Sequence, residues 1–385
     1  MKNTFKIILS YLLIVFNTYV LADQNNSANI LKVGVLAPLS GEFKTLGETI
    51  LYSINLALHD IDNNAVKIYP KDSGSDKKKI IQACKEFQEE GIKIIIGPAD
   101  SQFQEELKNF DDLIFLSLSN MDSNIKDNIV MVGINLESQL LAIKKFISKK
   151  KKTVILYPDN EFAKYIEKNI KLINFGNSRL FKYSKDPKVL TGQIEKLTNY
   201  KKRKINLNDR IKKLEKSEDI RDVRELDELK QKYTLGKVNF DSVVIIDFDD
   251  GLKSILVSLA YTDVSEQEIL IITTNQWFDD SILLETSIKN FYFPSINLKN
   301  LKNFNQRFLE TYKYKPNAIT ILAYDSIGLI YYFWKNNIKI NSAKNFNFKK
   351  EIKGKIGNFK ISDNKVIQKL KIYKLEDGSF IENKF

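Results

Sequence analysis

The sequence predicts an α/β fold of two lobes, each a mostly parallel sheet flanked by helices, on three observations. Ile30–Ile61 reads as a buried strand, a glycine turn and a long amphipathic helix, the opening unit of such a domain. Short apolar runs at 92–96, 113–116 and 129–132 each end in Gly, Ser or Asn and alternate with helical stretches, as buried parallel strands do. The same alternation restarts at Thr153, about 120 residues on, in a chain too long for one core.

In chain order, residues 1–22 carry a basic start at Lys2 and Lys6 and an apolar run, Ile7–Phe16. Val20 and Ala22 then sit at −3 and −1 of a cut before Asp23. This is the pattern of a cleavable signal peptide, with an uncleaved membrane anchor as the alternative. The expected location is the periplasm, with a mature chain that does not span the membrane. In Ile30–Ala37 the apolar run is too short for a helix, and Val33 and Val35 favour extended backbone. Pro38 and Gly41 punctuate it. Thr45 and Glu48 have capping-box spacing, so the helix is expected to start at Thr45. A ligand at this strand's carboxyl end meets Ser40 and Gly41; the alternative is a turn that only connects two packed elements.

Val66–Tyr69 is a strand, and Asp76 is placed to cap a helix bearing Ile80, Ile81, Cys84 and Phe87. The run at 92–96 leads into GPADSQF, that at 113–116 into SLSN, and that at 129–132 into GINLES. Helix 137–149 leads into the lysines at 149–152, where positive charge suits a helix C-terminus. Thr153–Tyr157 is a strand, and Asn160 is placed to cap a helix with Phe162, Tyr165, Ile166 and Ile170. Residues 201–236 hold twelve basic and eight acidic residues around a thin apolar stripe of Ile211, Leu214, Val223, Leu226 and Leu229. They read as one or two surface helices, with disorder as the alternative. Val243–Ile246 is a core strand followed by Asp247, Asp249, Asp250 and Gly251. Leu252–Tyr261 is a helix, Ile269–Thr273 a strand, Thr274–Asp280 a polar and aromatic loop, and FYFP at 291–294 a connection between lobes. Helices follow near 300–312 and 317–335, then a tail of small antiparallel strands with a DG turn at 377–378.

Composition excludes several function classes. The single histidine, His59, rules out a multi-histidine metal site, no lysine-bearing glycine loop fits a nucleotide phosphate, and no serine–histidine–acid pattern appears. No enzyme activity, cofactor or metal is expected. Cys84 is the only cysteine, so no intramolecular disulfide forms; it reads as a buried thiol and not a nucleophile. No lipid-modified N-terminus is expected, because no cysteine lies near the cut. The net charge of +12 falls to +10 without Lys2 and Lys6. Its lysines are spread among acids and asparagines with no aromatic–basic module, which argues against nucleic acid and for mild attraction to anionic envelope surfaces.

KVGVLAPLSGEFKTLGETILYSINLALHDI, IIIGPADSQ and IFLSLSN together resemble type I periplasmic binding proteins of the leucine/isoleucine/valine class. The resemblance implies three crossings between lobes, near 135–140, 285–293 and 336–350. It divides the chain into 23–137 (lobe 1), 138–290 (lobe 2), 291–337 (lobe 1) and 338–385 (lobe 2). It also implies an interlobe cleft. Ser101 matches a serine that binds the ligand carboxylate, and Ser117 and Ser119 lie in the loop of the next anchors. Phe162, Asp247 and the Trp277–Asp279 loop match second-lobe contacts, with Asp279 a candidate for the cleft acid. Ser40, Ser101, Ser117 and Ser119 are expected to face one cleft; four unrelated turn serines are the alternative. The chain departs from the class at Asp100 and Gln102, which flank Ser101, since an acid there repels a carboxylate unless it points away.

The insertion at 201–236, FDSVVIIDFDDGLKSILVSLAYTDV and TTNQW resemble the penicillin-binding-protein-activator-like branch of the same fold. Its members serve peptidoglycan synthesis by touching a synthase, and many are lipoproteins with a helical-repeat domain that is not expected here. Two functions therefore stand open for a monomeric protein. One is an envelope interaction protein whose partner is a peptidoglycan synthase or another envelope protein. The other is the solute-binding component of an ABC uptake system, holding an amino acid or small polar ligand and meeting an ABC permease.

Overall fold

The structure, a computed structural model, describes residues 30–100, 102–121, 125–147, 151–274, 290–376 and 379–383. The opening strand β1 (Leu31–Ala37) is buried at every position but one and leads to α1 (Lys44–Ile61). Ile50, Ile54 and Ala57 on the expected face of α1 are buried. The capping box is not formed: α1 begins at Lys44, its N-cap is Phe43 without a side-chain hydrogen bond, and Glu48 pairs with Lys44 at 3.4 Å. A Cβ on Gly47 would lie 2.0 Å from the Pro38 carbonyl oxygen, so only glycine lets the first turn of α1 pass that close to the strand end.

Next come β2 (Val66–Asp72), α2 (Lys77–Glu89), β3 (Ile94–Ile96), the one-turn α3 (Gln104–Leu107), β4 (Ile114–Ser117) and β5 (Ile129–Met131). Asp76 caps α2 as expected, accepting from the backbone N–H groups of Lys78 and Lys79. The strands lie in the order β2-β1-β3-β4-β5. The β1–β2, β1–β3 and β3–β4 pairs are parallel.

A second sheet forms from β6 (Thr153–Pro158), β7 (Ser178–Tyr183), β8 (Ser242–Ile245), β9 (Leu270–Thr273) and β10 (Phe291–Ser295). Its order is β10-β9-β8-β6-β7, all parallel. FYFP is therefore the core strand β10 and not a connecting segment. The helices are α4 (Leu136–Phe146), α5 (Ala163–Ile173), α6 (Pro187–Leu197), α7 (Tyr200–Leu214), α8 (Ile220–Lys230) and α9 (Asp249–Tyr261). The strand period of two splits the core cleanly. Val154, Leu156, Val243 and Ile245 pack on the side of α6 and α9, whereas Ile155, Tyr157, Val244 and Ile246 pack on the side of α4 and α5.

After α10 (Leu298–Tyr312) and α11 (Thr320–Lys335), the tail divides between the sheets. The meander β11 (Phe348–Lys353), β12 (Asn358–Ser362) and β13 (Lys365–Gln368) joins the first sheet through β13 on β5. β14 (Lys371–Glu376) and β15 (Ser379–Glu382) extend the second, antiparallel, from β10. By contacts the chain forms two compact units, one built mainly on residues up to 118 with 126–130 and 322–346, the other on 131–321 and 347–385 with 119–125.

The charged insertion is ordered. α7 and α8 bury Leu207, Leu214 and Leu229 against one another, with Ile211, Leu226 and Leu235 packed beside them. Val223 departs from the expected stripe and is exposed. Arg203 is 7% exposed and donates to three carbonyls, those of Gly236 at 2.8 Å and of Thr262 and Asp263 at 3.0 Å. That one side chain ties the hairpin to the end of α9.

Candidate functional site

In an open α/β sheet, ligands meet the carboxyl ends of the strands. In the first unit those ends are bound up by Asp72, the last residue of β2. Its carboxylate accepts from the backbone N–H groups of Leu39 (2.8 Å), Ser40 (3.1 Å) and Gly74 (2.8 Å), from the Ser40 hydroxyl (2.5 Å) and from Lys79 Nζ (2.9 Å). Lys79 also donates to Ser40 Oγ at 2.7 Å, so the hydroxyl has both a donor and an acceptor partner. Burial alone would push the Asp72 carboxyl up; the hydrogen bonds from Ser40, Lys79, Gly74 and Leu39 outweigh it and hold it far below the usual carboxylate range.

Ser117 is fully buried and donates to the Pro98 carbonyl at 3.2 Å. Ser119 is buried and accepts from the Met121 N–H at 3.1 Å. In the second unit Asp247, 5% exposed, accepts from the Tyr183 hydroxyl and from the Phe248 N–H at 2.9 Å. A Cβ on Gly251 would lie 2.2 Å from the same carboxylate. The Tyr183 hydroxyl is pushed well above its usual range by burial and by the Asp247 carboxylate it faces. Ser101, Trp277 and Asp279 lie outside the described residues.

What these strand ends present outward is aromatic. Helices α1, α3, α5 and α9, which follow the inner strands β1, β3, β6 and β8, have Phe43, Phe103, Phe162 and Phe248 at the N-cap, with no side-chain cap. Asn160, the expected cap of α5, instead accepts from the Phe162 N–H at 3.0 Å. Phe43, Phe162 and Phe248 are 49%, 43% and 48% exposed. By contrast α2 and α6, which follow the edge strands β2 and β7, are capped by Asp76 and Asp186. Only Phe162 among these aromatics stood out in the sequence. The recurrent dipeptides Glu42–Phe43, Gln102–Phe103 and Glu161–Phe162 after strand ends were the legible signal for two of the others.

Residues 30–173 match the family model described as periplasmic binding protein. The chain is similar to the C-domain of LpoA (YraM) from Haemophilus influenzae, a regulator of PBP1A. The two are 14% identical, 92% of this chain and 100% of that one are covered, and the TM-score is 0.62. It has the type I periplasmic binding protein fold. The branched-chain amino acid binding protein LivJ from Streptococcus pneumoniae, solved with isoleucine, shares this fold at 17% identity, with 92% and 100% coverage and a TM-score of 0.51. Full-length LpoA from H. influenzae gives 0.63 at 15% identity, with 93% of this chain covering 59% of it. No curated protein matches the sequence. Among the described residues no His, Cys, Asp and Glu group is arranged to hold a metal, and no helix is long and apolar enough to cross a membrane.

Proposed function

We propose that this binding-fold protein acts in the bacterial periplasm without catalysis, by touching a partner protein, and that the partner is a peptidoglycan synthase. The observation that carries the reading is the state of the strand ends. The groups that would turn to an amino acid's carboxylate and ammonium are already engaged within each unit: Ser40 by Asp72 and Lys79, Ser117 by Pro98, and Asp247 by Tyr183. Freeing them for a solute costs those bonds, whereas exposed aromatics at the same ends suit a protein partner. LpoA, described as a regulator of PBP1A, offers a precedent on this fold. The α7–α8 hairpin adds a second surface for contact, with Ile205 and Ile220 exposed among its charges.

The test is surface-based binding of the purified mature chain to the periplasmic region of a peptidoglycan synthase from the same cell, with native mass spectrometry of the freshly purified protein alongside. Saturable binding and a mass without added ligand support the proposal. A retained amino acid together with no synthase binding refutes it.

A solute-binding role is the second reading. The uncapped starts of α1 and α5, with no acidic residue in the first turn, favour it, because they leave backbone N–H groups able to meet an anionic ligand group. LivJ carries isoleucine on the same fold. A retained mass in the same spectrum, displaced by one amino acid in calorimetry, would select it.

A further inference from the structure

The first unit has an open groove of about 530 Å³ at the amino-terminal ends of β1 and β3, the ends away from the site described above. Its volume falls in the range of small-molecule sites. Ile30, half exposed, forms one wall; Trp334 in the last turn of α11, with Ile338 and Ile340 just beyond, forms the other. Lys32, Lys93 and Lys339 also line it, and no acidic residue does. The nearby Glu90 gives its carbonyl to Lys32 at 3.2 Å, but its carboxylate is held by Lys71 at 2.6 Å. Lys32 also lies over the Tyr69 ring, 5.8 Å from its centroid. Lys93 and Lys339 make no ion pair with any described residue. Gly91, in the left-handed region at φ 67°, has nothing within 4 Å of the place a Cβ would take, which keeps the rim open.

Lysines beside helix carboxyl ends ordinarily offset the helix dipole. That role does not account for a tryptophan and four isoleucines lining the same groove. We infer that the groove binds an amphipathic monoanion, its apolar body against Trp334 and Ile338 and its acidic head toward Lys93 and Lys339. Apolar walls with a few charged groups of one sign are what such a ligand requires, and the three lysines reject its cationic counterpart. The site is separate from the strand carboxyl ends and stands or falls independently of the synthase proposal.

The chain has two tryptophans, so Trp277→Phe leaves Trp334 as the only indole reporter. Titrating that variant with decanoate should give a saturable shift in emission. Decanol should bind more weakly and decylamine should give no saturable shift. Replacing Lys93 and Lys339 by Gln, both exposed, should weaken decanoate binding roughly tenfold with an unchanged melting temperature. Calorimetry on the unsubstituted chain repeats the comparison should Trp277→Phe not fold. No saturable decanoate signal by either method would overturn the proposal. So would equal binding of decylamine, or decanoate affinity indifferent to Lys93→Gln/Lys339→Gln.

Discussion

Asp72 shows how one side chain can order several backbone segments. It closes the β1 turn, the β2 turn and the start of α2 through five hydrogen bonds, three from backbone N–H groups. Its carboxyl is lower in the folded than in the unfolded chain, so its contribution is complete above the unfolded value of about 4 and is lost as pH falls through the folded value. Asp72→Asn should therefore destabilise the protein by about 1–3 kcal/mol at neutral pH. The difference from the unsubstituted chain should shrink progressively below about pH 4 in urea titrations. Cys84 is fully buried, and burial pushes its thiol up to about 12. At pH 8 it should resist a disulfide reagent such as Ellman's in the native protein and react at once in denaturant. Gly251 belongs with these two. Gly251→Ala drives a methyl group into the Asp247 carboxylate, and a loss of about 1–3 kcal/mol in chemical denaturation is expected, with Tyr183 left unpaired.

At the scale of elements, the α7–α8 hairpin separates two kinds of charge. Arg210 and Glu225 face each other across it in a two-pronged pair at 2.8 and 2.5 Å, yet their side chains are 34% and 41% exposed. A double-mutant cycle should find less than about 1 kcal/mol between them. Arg203 is buried with three carbonyls and, at 3.8 Å, the Asp263 carboxylate as partners, and Arg203→Ala should cost about 3 kcal/mol and loosen the hairpin in hydrogen exchange before the β6–β8 core responds. The phenylalanines at the helix starts answer to a different demand. Phe162 and Phe248 touch water over nearly half their surface, so Phe162→Ala and Phe248→Ala should move the melting temperature little. Under the synthase proposal the same pair should lose binding severalfold, a result that a purely structural role for either ring does not produce.

For the molecule as a whole, charge is the property with a measurable consequence. With 60 basic and 48 acidic residues, the chain should meet an acidic partner faster at low ionic strength. Raising salt from about 50 to about 300 mM should lower the association rate more than it raises the dissociation rate. The export proposal is checked on the same sample, since intact mass of protein recovered from periplasm should place the first residue at Asp23.

Periodicity alone determined most of the architecture. Runs such as Val33–Ala37 and Val243–Ile246 are apolar on consecutive positions, which only a strand buried on both faces accommodates, and the helix faces of α1 and α2 follow from 3.6-residue spacing. The edge strand β7, SRLFKY, left no such trace because only one of its six positions is buried, and α6 went unread with it. Which sheet receives FYFP, and how the tail divides between the two sheets, depend on pairings across long sequence separations that no local pattern encodes. The serines were legible as turn residues at strand ends. What occupies their hydroxyls was not, because Asp72 and Lys79 reach Ser40 from 32 and 39 positions away, and Tyr183 reaches Asp247 from 64. A polar side chain's role depends on its partners in space, and those partners are brought together only when the strands come into register.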